Sequence, residues 1–324
     1  MARQSLEQRL ASLRALDAAN PAATDTLRDA LKSSIGILVG SAATLVAEHH
    51  LHALVDELPD AFARLCEDGA KRDPGCRGKT AIARALHALD HWDDRVFVAG
   101  LRHEQREGWG GGTGQPPDDT AAELRGLCGL AHAQFARGDA LDVLATLLTD
   151  GERTTRIAAA RGLGDAGRPD ATALLRFKIL TGDPEPEVIA ACLESLLALS
   201  HEAAIDFVLA LLATHDQTAE VAALALGGAR IASAFEPLVA WCLGCTPAQR
   251  HGVAYVALAL LRDDRATEHL LEAIRDHGTA SALAAARALA TFKHDAQLVE
   301  RIRAAAAGRK RDPTFARELD DLLE

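Results

Sequence analysis

A short alanine-rich segment returns along the second half of this chain at a nearly fixed spacing. Ile157-Ala-Ala-Ala-Arg-Gly-Leu163-Gly, Val221-Ala-Ala-Leu-Ala-Leu226-Gly-Gly and Leu283-Ala-Ala-Ala-Arg-Ala-Leu289-Ala are versions of it. Leu163, Leu196, Leu226, Leu260 and Leu289 stand 33, 30, 34 and 29 residues apart. A period between 20 and 50 residues is the mark of a solenoid, because one helix pair cannot bury its own apolar face and must stack on the next. Aromatic residues are only 4% of the chain, so the shared interior has to be aliphatic and alanine-rich, which suits close helix packing.

Helical periodicity runs throughout, and sustained period-2 alternation is nearly absent. Turn residues divide the second half into 139–149 with 152–164, 171–181 with 186–200, 202–214 with 217–230, 235–244 with 246–262, and 267–277 with 279–292. The first third reads as degenerate pairs: 27–40 with 42–51, 52–67 with 78–90, then 96–104. The expected architecture is an all-α solenoid of about eight or nine stacked antiparallel pairs. Its expected parts are a capping helix in 1–20, degenerate repeats in 21–117, regular repeats in 118–293 and capping helices in 294–324. Second helices are expected to line a concave face.

Asp119, Asp150, Asp183 and Asp216 recur 31, 33 and 33 residues apart, each just ahead of a second helix. There a carboxylate can N-cap the helix. Three Asp residues have a cation six residues on: Asp73 with Lys79, Asp119 with Arg125, and Asp150 with Arg156.

The alanine-rich second helix, the ~33-residue period and the Asp-to-Arg spacing resemble HEAT repeats, in particular the short type named after phycobilisome lyases. In that family the Asp and Arg form a ladder between repeats. The resemblance implies that Asp119, Arg125, Asp150 and Arg156 are ladder residues, with Asp73 and Lys79 a weaker copy. The ladder breaks after Asp183 and Asp216, which are followed six residues on by Ile189 and Ala222. The resemblance is good over 118–293 and looser over 20–105. It implies a fold, and folds do not fix functions.

Charge narrows the function classes. The net charge of −11 repels phosphate backbones and disfavours general nucleic-acid binding. No uncharged apolar run approaches the ~20 residues of a membrane span, and Met1–Leu10 carries Arg3, Glu7 and Arg9 instead of an apolar signal core. A cytoplasmic protein is expected. The cysteines at 66, 76, 128, 192, 242 and 245 form no disulfide framework.

Several constellations invite chemistry. The insertion Arg106–Asp118 holds Gly108-Trp109-Gly-Gly-Gly-Thr-Gly114 and Pro116-Pro117, which forbid helix. Trp109 either packs back on the repeats or anchors a partner. Trp241-Cys242-Leu-Gly-Cys245 has the Cys-x-x-Cys spacing of redox sites, but both thiols fall at a helix C-terminus, where no dipole activates them. His103-Glu104 and His201-Glu202 resemble the iron-holding pairs of deoxyhypusine hydroxylase, a HEAT-repeat enzyme that carries four such pairs where this chain has two. These four residues are the weak metal candidates. Glu48-His49-His50 with His52, and His87 with His91, have metal-compatible spacings that helix-surface histidines also produce.

These readings converge on a non-catalytic scaffold that binds a protein partner, with no cofactor, no nucleic acid and no membrane. The candidate contacts are Trp92, Trp109, Arg84, Arg125, Arg161 and Arg287. A metal-dependent His/Glu enzyme and a bilin-lyase-like protein are the alternatives.

Overall fold

The computed structural model describes residues 5–16, 21–108, 117–199, 201–309 and 313–324. After the helix Leu6–Arg14, started by a Ser5/Gln8 capping box, the described helices fall into nine pairs, with the one-turn helix Gly69–Arg72 between the members of one of them. They divide between two compact units, Met1–Ala171 and Thr172–Glu324.

In the first unit the pairs are Pro21–Leu31 with Gly36–Glu48, Leu58–Cys66 with Arg77–Ala88, Asp94–Gly100 with Ala122–Gln134, and Ala140–Leu147 with Arg153–Asp165. Ala42, Ala43, Leu54, Phe62, Ile82, Leu86, Phe97 and Leu124 lie at its centre. Second helices pack on second helices: Gly36–Glu48 on Arg77–Ala88, and Ala122–Gln134 on Arg153–Asp165. The small residues explain how close they come. A Cβ placed on Gly78 would sit 2.7 Å from the Gly36 carbonyl oxygen, so only glycine fits.

In the second unit the pairs are Ala171–Thr181 with Pro186–Leu199, His201–Leu211 with Gln217–Gly228, Phe235–Gly244 with 247–261, Asp264–Asp276 with Thr279–Ala290, and Ala296–Ala306 with Pro313–Leu323. Leu193, Leu196, Val208, Ala222, Ala223, Leu226, Leu258 and Leu270 fill its interior. A Cβ on Gly227 would collide with the Ala257 carbonyl, the same close approach in the second unit. The 247–261 helix opens on a Thr246/Gln249 capping box with Pro247 at its start and carries a π-helical turn at Arg250–Ala254.

The solenoid is all-α, with corrections in detail. No helix crosses 27–40. One ends at Leu31 and the next begins at Gly36, because Lys32 to Ile35 turn the chain without a proline or glycine signal. Residues 52–57 are a 3-10 helix feeding Leu58–Cys66. The insertion's arms pair as a minimal antiparallel ribbon, Arg106 opposite Asp119 and Glu107 opposite Asp118. Among the four regularly spaced aspartates only Asp216 is an N-cap, accepting from the Ala219 N–H at 3.1 Å. Asp119, Asp150 and Asp183 instead accept from the N–H two residues on, at 3.0, 2.8 and 2.9 Å. That is a turn-forming bond, which leaves the second carboxylate oxygen for another partner. Among the described residues no helix is long and apolar enough to cross a membrane.

Candidate functional site

Three arrangements could carry function. The first is a buried polar spine in the Met1–Ala171 unit. Lys79 and Asp73 are both essentially inaccessible, with side-chain exposures of 0% and 1%, and lie 3.3 Å apart. Asp73 also accepts from the N–H groups of Gly78 at 2.7 Å and Lys79 at 3.0 Å, so its carboxylate is fully engaged. The Lys79 ammonium donates to the Leu65 carbonyl and to Gln105 Oε1. Gln105 passes the network on. Its amide donates to the Asp73 carbonyl at 2.8 Å and to Glu107 at 2.5 Å, and its backbone N–H donates to Asp119 at 3.1 Å. Thr120 ties the other arm back by donating to Glu107 at 2.8 Å. Glu107 also accepts from the Gly75 N–H, and these donors hold its carboxyl below the usual range although burial alone would raise it.

Arg125 continues the spine. Its guanidinium contacts Asp119 at 2.7 Å and takes both oxygens of Asp150 in a fork, at 2.7 and 2.9 Å. A planar fork on a carboxylate is the strong geometry for such a pair. Burial alone would weaken the charge of Arg125 and raise the carboxyl of Asp119. The mutual bonds and the N–H donors outweigh it, so Arg125 shifts up and Asp119 down. Arg156 donates to the carbonyls of Asp150 and Gly151. The structure thus brings together Asp73 with Lys79, and Asp119 with Arg125 and Asp150. Sequence spacing pointed to those residues and missed Gln105, Glu107 and Thr120, whose only sequence signal is polar character on both flanks of a glycine-rich insertion.

The second arrangement is an aromatic corner. Trp92 is half-buried, stacked on Phe97 at 4.9 Å and met edge-on by His132 and Phe135. Its indole N–H donates to Asp94 at 2.6 Å, and the Arg137 guanidinium lies 4.8 Å over its ring. Most of this ring is packing, and its remaining edge is available to a partner. Trp109 lies outside the described residues.

The third is a groove of about 390 Å³ in the Thr172–Glu324 unit, between the second helices Pro186–Leu199 and Gln217–Gly228. Leu197, Leu224 and Ala225 line it, Ala198, Gly228 and Ala229 keep it shallow, and Glu194 stands in its wall. The alanine and glycine positions that allow close packing also leave this space.

Residues 141–227 match a model of HEAT repeats, and they run from the last helix pair of the first unit into the groove of the second. This stretch of the chain carries HEAT repeats. An engineered protein of known structure aligns with 99% of this chain and 95% of its own, at 19% identity and a TM-score of 0.38. No curated protein matches.

The other candidates disperse. Arg84 is exposed and pairs with Glu123 at 2.6 Å, whereas Arg161 and Arg287 project from second helices, with Arg287 3.9 Å from Glu318. Arg125 is 7% exposed, so it belongs to the interior and not to a contact surface. The Nε2 of His103 is buried without a partner, and burial, then Lys79, pushes its pKa down. Glu104 is exposed, 3.7 Å from Arg106. Glu202 is exposed, and the side chain of His201 lies outside the described residues. Among the described residues no three His, Cys, Asp or Glu are grouped to hold a metal ion. Cys242 and Cys245 close the C-terminal end of Phe235–Gly244, and burial pushes the Cys242 thiol up to about 11, the reverse of an activated thiol.

Proposed function

We propose that this chain is a protein-binding scaffold whose principal contact is the second-helix face of residues 186–229. The apolar groove of about 390 Å³ between Pro186–Leu199 and Gln217–Gly228 carries this reading. Specific interfaces centre on apolar contacts that exclude water, with charge at the rim. A groove with leucine walls and an alanine and glycine floor receives an aliphatic or aromatic side chain. Glu194 beside it and the acidic chain as a whole favour a partner segment with lysine or arginine next to that side chain. HEAT repeats suit this role, since an array of helix pairs offers an extended surface. Trp92, Arg84, Arg161, Arg287 and, on sequence grounds, Trp109 are proposed as further contacts.

The test is quantitative affinity capture from the native host with the wild-type chain and with Leu224→Lys, which leaves the surrounding helix exposed as before. A partner retained by the wild type should be reduced by about tenfold or more, since an unpaired charge in an apolar contact costs at least 1.4 kcal/mol. Equal retention by a folded Leu224→Lys chain would overturn the groove as the contact.

A further inference from the structure

One polar group in the Thr172–Glu324 unit belongs neither to the groove nor to the repeat ladder. The 247–261 helix departs from α geometry at Arg250–Ala254, where a π turn accommodates an extra residue. Such turns are frequent at functional sites, because they re-aim a side chain that a regular helix would bury. Arg250 pins this one by donating to the carbonyls of Cys242 at 3.0 Å, Leu243 at 3.1 Å and Cys245 at 3.3 Å. The next residue, His251, places Nε2 2.7 Å from the hydroxyl of Ser281.

Ser281 is the third residue of the helix Thr279–Ala290. The N-cap of this helix is Gly278, which supplies no side-chain acceptor. First-turn N–H groups have no acceptor inside their own helix, so those of Ala280 and Ser281 remain donors beside the Ser281 hydroxyl. Tyr255, 1% exposed, lies 3.3 Å from His277 Nδ1 and accepts from the Ser281 hydroxyl, and burial raises its phenol. His251 and Ser281 are both half-buried, so the pair is open to solvent on one side.

A hydroxyl in hydrogen-bond reach of an imidazole, in the first turn of a helix whose N–H groups lack intrahelical acceptors, is a nucleophile–base pair suited to acyl transfer. We propose that Ser281 is a nucleophile activated by His251, accepting the acyl group of small activated esters. Ser281 Oγ bonds to the acyl carbon while its proton passes to His251 Nε2. The bond from the acyl carbon to the leaving oxygen breaks, and the alcohol or phenolate departs, taking the proton from His251 or leaving it to solvent. Water, deprotonated by His251, then attacks the serine ester, releases the carboxylic acid and restores Ser281.

The described hydrogen bonds place no carboxylate behind His251. Loss of that member from a Ser-His-Asp triad costs about 10⁴ in rate, so slow turnover is expected and acylation is the step to read. The intact chain is mixed with p-nitrophenyl acetate, and the acetylated residue is mapped by mass spectrometry. A burst of about one equivalent of p-nitrophenolate, with the acetyl group on Ser281, is expected. Ser281→Ala should lose the burst. His251→Gln, which keeps a hydrogen-bonding side chain but supplies no base, should slow it about 100-fold or more. Folding of both variants is checked by circular dichroism. Should either fail to fold, the wild-type chain in urea replaces it, and acylation of Ser281 must then be lost on unfolding. Acetyl groups spread over lysines, an undiminished burst in Ser281→Ala, an unchanged rate in His251→Gln, or equal acylation of Ser281 in urea would each overturn the proposal.

Discussion

The turns that join first to second helices differ between the Met1–Ala171 and Thr172–Glu324 units in the residues they use. In the first unit, Asp73 with Lys79 and Asp119 with Arg125 and Asp150 form linked ion pairs, and Gln105 connects the two groups. In the second, Asp183 meets Lys178 from its own preceding helix, Asp216 accepts from the Thr214 hydroxyl, and the next two second helices begin after Thr246 and Gly278. Both units share the close approach of glycine and alanine backbones. Asp73, Lys79, Gln105 and Asp119 lie where the repeat is interrupted by the insertion at 106–118, whose two arms Gln105 and Thr120 join. A regular repeat stacks on apolar complementarity, whereas an interrupted one needs directional bonds to fix where the chain re-enters the stack. Buried ion pairs are weak sources of net stability, but breaking one partner is costly.

The sharpest way to break this contrast is Asp73→Asn, which keeps shape and removes one charge. Lys79 would be left as a buried cation without a carboxylate, and the expected loss is about 3–5 kcal/mol, read from the urea midpoint. Adding Lys79→Met should recover part of it, which ordinary loss of packing would not allow. A smaller effect is expected in the second unit. Gly227→Ala pushes a methyl into the Ala257 carbonyl, and overpacking of this kind costs about 1–3 kcal/mol. No second substitution of charge should relieve it.

The smallest effect is one of pH. Asp119 and Glu107 have carboxyls held below their ordinary values, chiefly by N–H and side-chain donors that outweigh burial. The unfolded chain therefore binds their protons first as pH falls. Their stabilisation is complete above the unfolded carboxyl range near pH ~4 and is lost as pH falls through the lower folded values. Urea midpoints between neutral and acid pH should fall in that window, and Asp119→Asn should flatten the slope there. An unchanged slope would remove Asp119 from the set of groups that matter.

How much of this was legible in the sequence follows from the range of each interaction. Helix pairs were readable because 3.6-residue periodicity and the ~33-residue recurrence are written locally. Asp119, Arg125 and Asp150 were readable because their spacing repeats. The N-cap expectation fails for Asp119, Asp150 and Asp183, since the same position ahead of a helix serves both an N-cap and a turn bond, and only Asp216 takes the former. Gln105 reaches Asp73 across 32 residues and Asp119 across 14, separations that no local pattern encodes. The break at Lys32–Ile35 was missed for a related reason: no glycine or proline marks it, and Gly36, which looks like a helix interior residue, is needed where Asp73 packs against the first turn. The groove was only half legible. Leu224 and Ala225 were visible as part of a repeat motif, but the space between two helices depends on which small residues face each other.

The claim that the buried network of Asp73, Lys79, Gln105 and Asp119 holds the helices of the Met1–Ala171 unit is tested most directly by hydrogen–deuterium exchange on Asp73→Asn against the wild-type chain, read peptide by peptide under native conditions. Protection should fall in Gly36–Glu48, Arg77–Ala88 and Ala122–Gln134, while Pro186–Leu199, Gln217–Gly228 and Thr279–Ala290 keep their wild-type exchange. An equal loss of protection in both groups of helices, or no loss in the first, would contradict it.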